Sequence, residues 1–289
     1  MPLTRAEIAA AFEGACLDEL QALKPGNVHI FSDTHKLSVA QFERSARAAS
    51  PGLTLPGARV GARILAAIEA TQAAVATNTN LGIVLLCAPL AACVEQLATR
   101  RPAAIHAALM LMLDGLDIED AGFAFRAITL ASPGGLGDDA ANDVRAPARL
   151  PLKAAMATAA SRDRIAFQYA HDFSDIFGRG LAACKAADAR PEPAWRNPQW
   201  RTLLTYLDFL GAFPDSHILR RHGAIAAECT RAAAAKFAAR LRAASDPAAL
   251  LEDLKAWDTA LKAQDINPGT SADLTVATLF ARRLLSGDG

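Results

Sequence analysis

Tyrosine and tryptophan are scarce in this chain, at two and three residues in 289, and no useful length alternates apolar with polar side chains. With the residues that favour pleated surfaces rare and Ala and Leu abundant, the pattern excludes a sheet protein and favours helix. Net charge is missing too: Lys+Arg and Asp+Glu are both 30. No overall field draws the chain to nucleic acid or to an acidic membrane, so any phosphate binding has to be local. Paired cysteines are absent. Cys16, Cys87, Cys93, Cys184 and Cys229 are scattered, odd in number and without a CxxC, which reads as small core residues in a reducing cytoplasm rather than a disulfide frame or zinc site. Residues 1–20 carry Arg5, Glu7, Glu13, Asp18 and Glu19, unlike a signal peptide. The longest apolar run, Leu81 to Val94, is too short to span a bilayer. Also lacking are GxxxxGK[ST], GxSxG and a GxGxxG that opens a helix after a strand. His29 and His35 have no partner at HxH or HxxxH spacing, so zinc held by histidine is not expected.

What remains is helix almost throughout, read as one all-α domain over 1–289, an orthogonal multi-helix bundle. Apolar residues recur at helical spacing over about 4–23, 38–49, 58–76, 81–98, 103–114, 117–130, 161–180, 198–211, 215–243, 247–263 and 271–286. Thr4 followed by Glu7 is a capping-box pattern for the first of these. The helix from Leu81 is apolar nearly all round and therefore central.

Four polar interruptions carry the candidate chemistry. SPGGLGDDAANDVR (132–145) offers Gly134, Gly135 and Gly137, which bare backbone N–H groups, then Asp138, Asp139 and Asp143, and Arg145. That combination suits a phosphorylated ligand held partly through a metal ion; ordinary turn chemistry is the alternative. KPGNVHIFSDTHK (24–36) is dense in polar groups, with Val28, Ile30 and Phe31 as expected anchors. Asn78 and Asn80 flank Thr79 before the apolar helix; their amides can read a hydroxyl, a base edge or a phosphate, or simply cap. In 265–273, Ser271 or Asn267 is expected to cap the last helix, whose exposed N–H groups suit a phosphate. Asp273 falls on the arc of Ala277, Phe280 and Leu284, as a metal ligand, a base or an acid favoured by the helix dipole. Arg162, phased as part of a 161–180 helix, points with Tyr169 and Phe173 and would need an anionic partner. The four loops are expected to meet in one cleft.

Taken together, KPGNV with Asp33-Thr34-His35, TNTNLG, SPGGLG with its downstream RDRIA, and INPGTSADLTVATLF resemble the triphosphoribosyl-dephospho-CoA synthase family, from about Leu23 to Leu285 and in its divergent archaeal and methylotroph-type branch. The resemblance implies an all-α pentosyltransferase. It would move the 5-triphosphoribosyl group of ATP to a hydroxyl of dephospho-CoA and release adenine, in the synthesis of a prosthetic-group precursor. It implies Mg2+ on the triphosphate through Asp138, Asp143 or Asp273. Lys24, Arg145 and Arg162 would meet phosphate oxygens. Asn27, His29, Asn78, Asn80, Gly134, Gly135, Asn267 and Ser271 would line the substrates, and Asp33, Asp143 and Asp273 would share the acid and base work. The chain departs from the citrate-lyase type, which has NTHKG where this sequence has Asn78-Thr79-Asn80-Leu81-Gly82 and an HxDM-like turn where His35 is followed by Lys36 and Leu37. Two alternatives follow: a related transferase of one-carbon coenzyme synthesis with another acceptor, or a nucleotide- or coenzyme-binding accessory protein without turnover. Neither a nucleic acid nor a membrane is an expected partner, and an oligomer is compatible with the sequence.

Overall fold

A computed structural model describes residues 2–32, 37–131 and 144–286. Thirteen α-helices occur among them and no strand; the only extended pairing among the described residues is an isolated bridge between His29 and Ser32. The all-α expectation holds. The chain divides into two compact units, one holding residues up to Cys16, Ala40–Ser174 and Phe280 onward, the other Leu17–Val39 and Asp175–Leu279.

The first unit contains most of α1 (Arg5–Leu20), α2 (Val39–Leu53), α3 (Val60–Val75), α4 (Leu81–Val94), α5 (Pro102–Asp114), α6 (Ile118–Ala131), α7 (Leu152–Ala157) and α8 (Arg164–Ala170). The capping box forms as expected: the Glu7 N–H donates to Thr4 Oγ1 (3.2 Å) and the Thr4 N–H to Glu7 Oε2 (2.7 Å). Helix α4 is central because every residue from Ile83 to Val94 is buried. Pro89 lies inside it and has no N–H to give, which strips Leu85 O of its helical donor. The Tyr169 hydroxyl takes that place at 2.6 Å. Arg63 is fully buried, yet a bidentate pair with Glu95 (2.9 and 2.6 Å) and bonds to Leu53 O and Ala58 O satisfy it. Phe12 and Phe280 meet edge to face at 5.9 Å, both fully buried, and join α1 to the end of the last helix within this unit.

Close approach of α3 and α6 depends on Gly61. A Cβ there would lie 2.5 Å from Asp120 O, and its N–H donates to Asp120 Oδ1 at 2.8 Å. Gly61→Ala is expected to destabilise the protein by about 1–3 kcal/mol through overpacking, read as a lower urea midpoint; an unchanged midpoint would show that the two helices part without penalty.

The second unit packs α9 (Leu181–Asp188), α10 (Pro198–Ala212), α11 (Ser216–Ala243), α12 (Leu251–Ala263) and the first part of α13 (Gly269–Ser286) around Trp200, Leu203, Tyr206, Leu207, Leu210 and Leu254. Three helix expectations change. The 161–180 helix is instead a turn, α8, and a break at Asp172 and Phe173, both with positive φ, followed by a π-helix over Asp175–Gly180. The 215–243 helix is kinked at Gly223, whose φ is 81°. Helix α13 starts at Gly269 rather than at 271. Of the cysteines, Cys229 is exposed, against the expectation of a core position. No described helix is long and apolar enough to cross a membrane.

Candidate active site

Lys24 ends the turn after α1, and its ammonium is fully buried. Its three donors are matched by acceptors close in sequence: Glu19 Oε1 at 2.6 Å, Asn27 Oδ1 at 2.9 Å and Val28 O. Burial pushes Glu19 up and Lys24 down, and each one's charge opposes the other's shift. So placed, Lys24 stabilises its own loop instead of reaching toward a phosphate. Gly26 turns the chain with φ of 84°, and a Cβ there would meet Pro268 Cδ at 2.8 Å and Ile266 O at 2.9 Å. Its N–H donates to Asp258 Oδ1 (2.8 Å), and the Tyr206 hydroxyl donates to Pro25 O (2.7 Å). The KPG turn is thus clasped by α10 and α12.

The same loop meets the NPG turn. Asn27 Nδ2 donates to Asn267 Oδ1 at 2.8 Å, and His217 Nδ1 donates to Asn267 O at 2.7 Å. These two expected site residues, far apart in sequence, are therefore neighbours. Ser271 is fully buried, but neither it nor Asn267 is the cap that was expected. Asp215 does that work, its Oδ1 accepting from the N–H groups of His217 (2.9 Å) and Ile218 (3.2 Å), its Oδ2 from Ser271 N–H (2.7 Å) and Oγ (2.8 Å). Asp273 is half-buried in the following turn.

His29 is almost wholly buried, with Nε2 lying 3.3 Å from both Asp258 Oδ1 and Lys262 Nζ. Burial holds its pKa below the usual imidazole value, against the pull of Asp258. Burial works to raise the Asp258 carboxyl, but His29, the Gly26 N–H and Lys262 keep it below its ordinary range. His29 Nδ1 is buried and makes no hydrogen bond among the described residues. Val28 anchors the loop, whereas Ile30 and Phe31, expected as anchors, are 46% and 49% exposed.

In the other unit, Asn78 Oδ1 accepts from the Leu81 N–H at 3.2 Å, the capping reading of that residue. Thr79 donates to Ser45 Oγ at 2.6 Å. Asn80 is buried; its Nδ2 donates to Thr71 Oγ1 (3.1 Å), whose own proton goes to Ala67 O (3.0 Å). That commitment fixes the amide orientation and leaves Asn80 Oδ1 buried without a donor. Arg145 is exposed in a turn. Arg162 is exposed too, correcting the inward placement: the helix starts only at Arg164, after Asp163 caps it, so helical phase does not apply to residue 162. Asp33, Gly134, Gly135, Asp138 and Asp143 lie outside the described residues. Among the described residues no group of three or more His, Cys, Asp and Glu is placed to hold a metal.

Glu19, Asp215, Asp258 and Lys262 escaped the sequence reading. The only local signals are Asp258 and Lys262 at i, i+4 spacing and Glu19 five residues before Lys24, both common on solvated helices.

An all-α frame with a buried polar scaffold, whose loops hold buried polar atoms without a hydrogen-bond partner among the described residues, defines a helical protein with candidate ligand-binding loops. Residues 5–289 match the sequence model for ATP:dephospho-CoA triphosphoribosyl transferase, and the chain belongs to that family. Its fold is similar to a crystal structure from Archaeoglobus fulgidus of a protein provisionally named a triphosphoribosyl-dephospho-CoA synthase, with a TM-score of 0.63 and 22% identity over 84% of this chain and 98% of that one. Among curated proteins no relative matches. The family transfers the triphosphoribosyl group of ATP to dephospho-CoA.

Proposed function

We propose that this chain moves the 5-triphosphoribosyl group of ATP to a hydroxyl of dephospho-CoA in the cytoplasm, releasing adenine, and that the KPGNVH loop of one unit and the TNTN loop of the other each offer a ligand an unpaired polar atom. One observation carries the loop assignment. Among the described residues three buried side-chain polar atoms have no hydrogen-bond partner, and two of them, His29 Nδ1 and Asn80 Oδ1, belong to these loops. Leaving a buried polar atom unpaired costs about 1–3 kcal/mol, a penalty that a ligand removes. The chemistry of Asn80 is specific: Oδ1 accepts, so it suits an O–H or N–H group, such as a ribose hydroxyl or the adenine amine, and not a phosphate oxygen. Exposed Phe31 and Ile30, beside His29, offer an apolar face to a base.

Adenine is a poor leaving group, so charge develops on the sugar as its bond to C1 breaks. The chain has to hold ATP and acceptor in line, take the proton of the attacking hydroxyl and keep water from competing. Mg2+ would neutralise the triphosphate, an ion that is commonly held by one or two carboxylates plus phosphate oxygens. Of the carboxylates expected to hold it, Asp273 is the one among the described residues, and it is half-buried. Asn27 and Asn267, which brace one another, are the substrate-binding candidates of the second unit.

The test is mass spectrometry of ATP, Mg2+ and dephospho-CoA incubated with the purified chain. Equal amounts of adenine and of dephospho-CoA carrying a triphosphoribosyl group are expected. Adenine formed only with some other hydroxyl compound would move the acceptor assignment; ATP bound but never cleaved would leave an accessory protein. Asn80→Ala should raise the KM of one substrate about tenfold, the equivalent of one hydrogen bond near 1.4 kcal/mol, with the melting temperature essentially kept. Loss of stability with an unchanged KM would make Asn80 a structural residue.

A further inference from the structure

A buried lysine decides which way a row of side chains points in the second unit. Three groups surround Lys24 Nζ: Glu19 Oε1 at 2.6 Å, Asn27 Oδ1 at 2.9 Å and Val28 O. An ammonium only donates, so Asn27 has to turn its oxygen toward it. The direction is the same if Glu19 holds the proton of the pair. The carboxylic acid then donates to the lone pair of the amine, whose two hydrogens go to Val28 O and Asn27 Oδ1. With its oxygen so used, Asn27 faces Asn267 with Nδ2, which donates at 2.8 Å. An amide nitrogen does not accept, so the atom of Asn267 that meets it is Oδ1. Asn267 Nδ2 is left as the far end of the row. Asn267 is half-buried, and its Nδ2 makes no hydrogen bond among the described residues and is not enclosed. The main chain of the same residue is held as well, His217 Nδ1 donating to Asn267 O at 2.7 Å.

The flank of this open donor is basic. Two residues before it, Asp265 O accepts from His222 Nε2 at 3.0 Å, and the partly exposed guanidinium of Arg221 lies 3.5 Å from Asp265 Oδ2. We infer that Asn267 Nδ2 donates to an oxygen of ATP, on its triphosphate or its ribose, and that Glu19, Lys24 and Asn27 are positioning residues that fix this donor from behind; this rests on the transferase reading above. A buried ion pair adds little to stability that apolar side chains could not supply. Here it holds an amide in one of two nearly isosteric orientations, of which only one offers hydrogens to an anion. Of the two asparagines, Asn267 makes the contact and Asn27 acts through it. Lys24, expected on a phosphate oxygen, serves ATP through two other side chains instead.

Asn267→Asp keeps an oxygen for Asn27 to meet and removes the donor. It should weaken ATP binding about 10–100-fold in a calorimetric titration, with the melting temperature essentially kept. Asn27→Asp, measured at about pH 8 where the new carboxylate is ionised, reverses the row from a distance. Asn267 must then give Nδ2 to that carboxylate and turn Oδ1 outward. A similar loss of ATP affinity is expected, which a role confined to stability would not produce. Titrations with inorganic tripolyphosphate and with adenosine separate the two oxygens: the compound whose own binding weakens in both variants carries the contact. Should Asn27→Asp not fold, the side-chain amide spectrum of the wild type decides. Asn267 NH2 protons that exchange freely and shift with ATP, beside protected ones on Asn27, support the inference; protected Asn267 protons unmoved by ATP overturn it. Wild-type ATP affinity in either folded variant also overturns it, while adenine release by the wild type keeps the transferase reading. A wild type that binds ATP but releases no adenine overturns that reading alone, and one that binds no ATP overturns both.

Discussion

Replacing Lys24 with methionine should destabilise the protein by about 3–5 kcal/mol, the usual penalty for leaving one partner of a buried pair alone. Glu19 is 2.6 Å away and almost wholly buried. Without the ammonium nothing opposes the burial that already pushes its carboxyl above the ordinary value of 4.5. The pH dependence then has a definite sign. A carboxyl raised in the folded state binds its proton there after the unfolded chain has lost it. The stability it supports is complete below about 4.5 and is lost as pH rises through the folded value. The Lys24→Met protein should therefore be most stable near pH 4 and weaken toward neutrality, measured by urea titration at several pH values. Adding Glu19→Leu should recover most of the loss, since two apolar side chains can replace a buried pair. A single variant with a wild-type midpoint at pH 7 would refute the account and return Lys24 to the residues available for phosphate.

Asp215→Ala comes second, with an expected loss of about 3 kcal/mol. One carboxylate starts two helices: two N–H groups of α11 on Oδ1, and the Ser271 N–H and hydroxyl on Oδ2. Removing a cap costs roughly 1–2 kcal/mol, and here two are removed from a buried position. Asp215→Asn keeps one accepting oxygen and should lose about half as much. Thermal melts and hydrogen exchange check both, with the first turns of α11 and α13 expected to lose protection together. Loss confined to α11 would show that Ser271 finds another partner.

Local features of this fold could be read from the sequence. The Thr4–Glu7 box, the all-round apolar α4 and the polar KPGN and NPG turns all depend on neighbours within a few residues. Asn27 and Asn267 were singled out on that basis and lie together. What could not be read depends on distance along the chain. Gly26 is clasped by an aspartate 232 residues away, and Asp215 reaches Ser271 across 56; on their own helices both acids look like ordinary surface charges. Arg162 failed for a different reason. Its phase was counted along a helix that in fact opens at Asp163, and the later break at Asp172 and Phe173 uses positive φ without a glycine to announce it. The unpartnered Nδ1 of His29 was likewise invisible, because one buried ring nitrogen leaves no mark on residue spacing.

The pairing of Phe12 with Phe280 has a consequence for biosynthesis. The apolar stripe of α1 leaves the ribosome well before this partner is made, which follows roughly 15–50 s later at about 5–20 residues per second. Until then a nascent chain carries an uncovered greasy helix, a substrate for chaperones, and ribosomes stalled before Phe280 would deliver chains prone to aggregate.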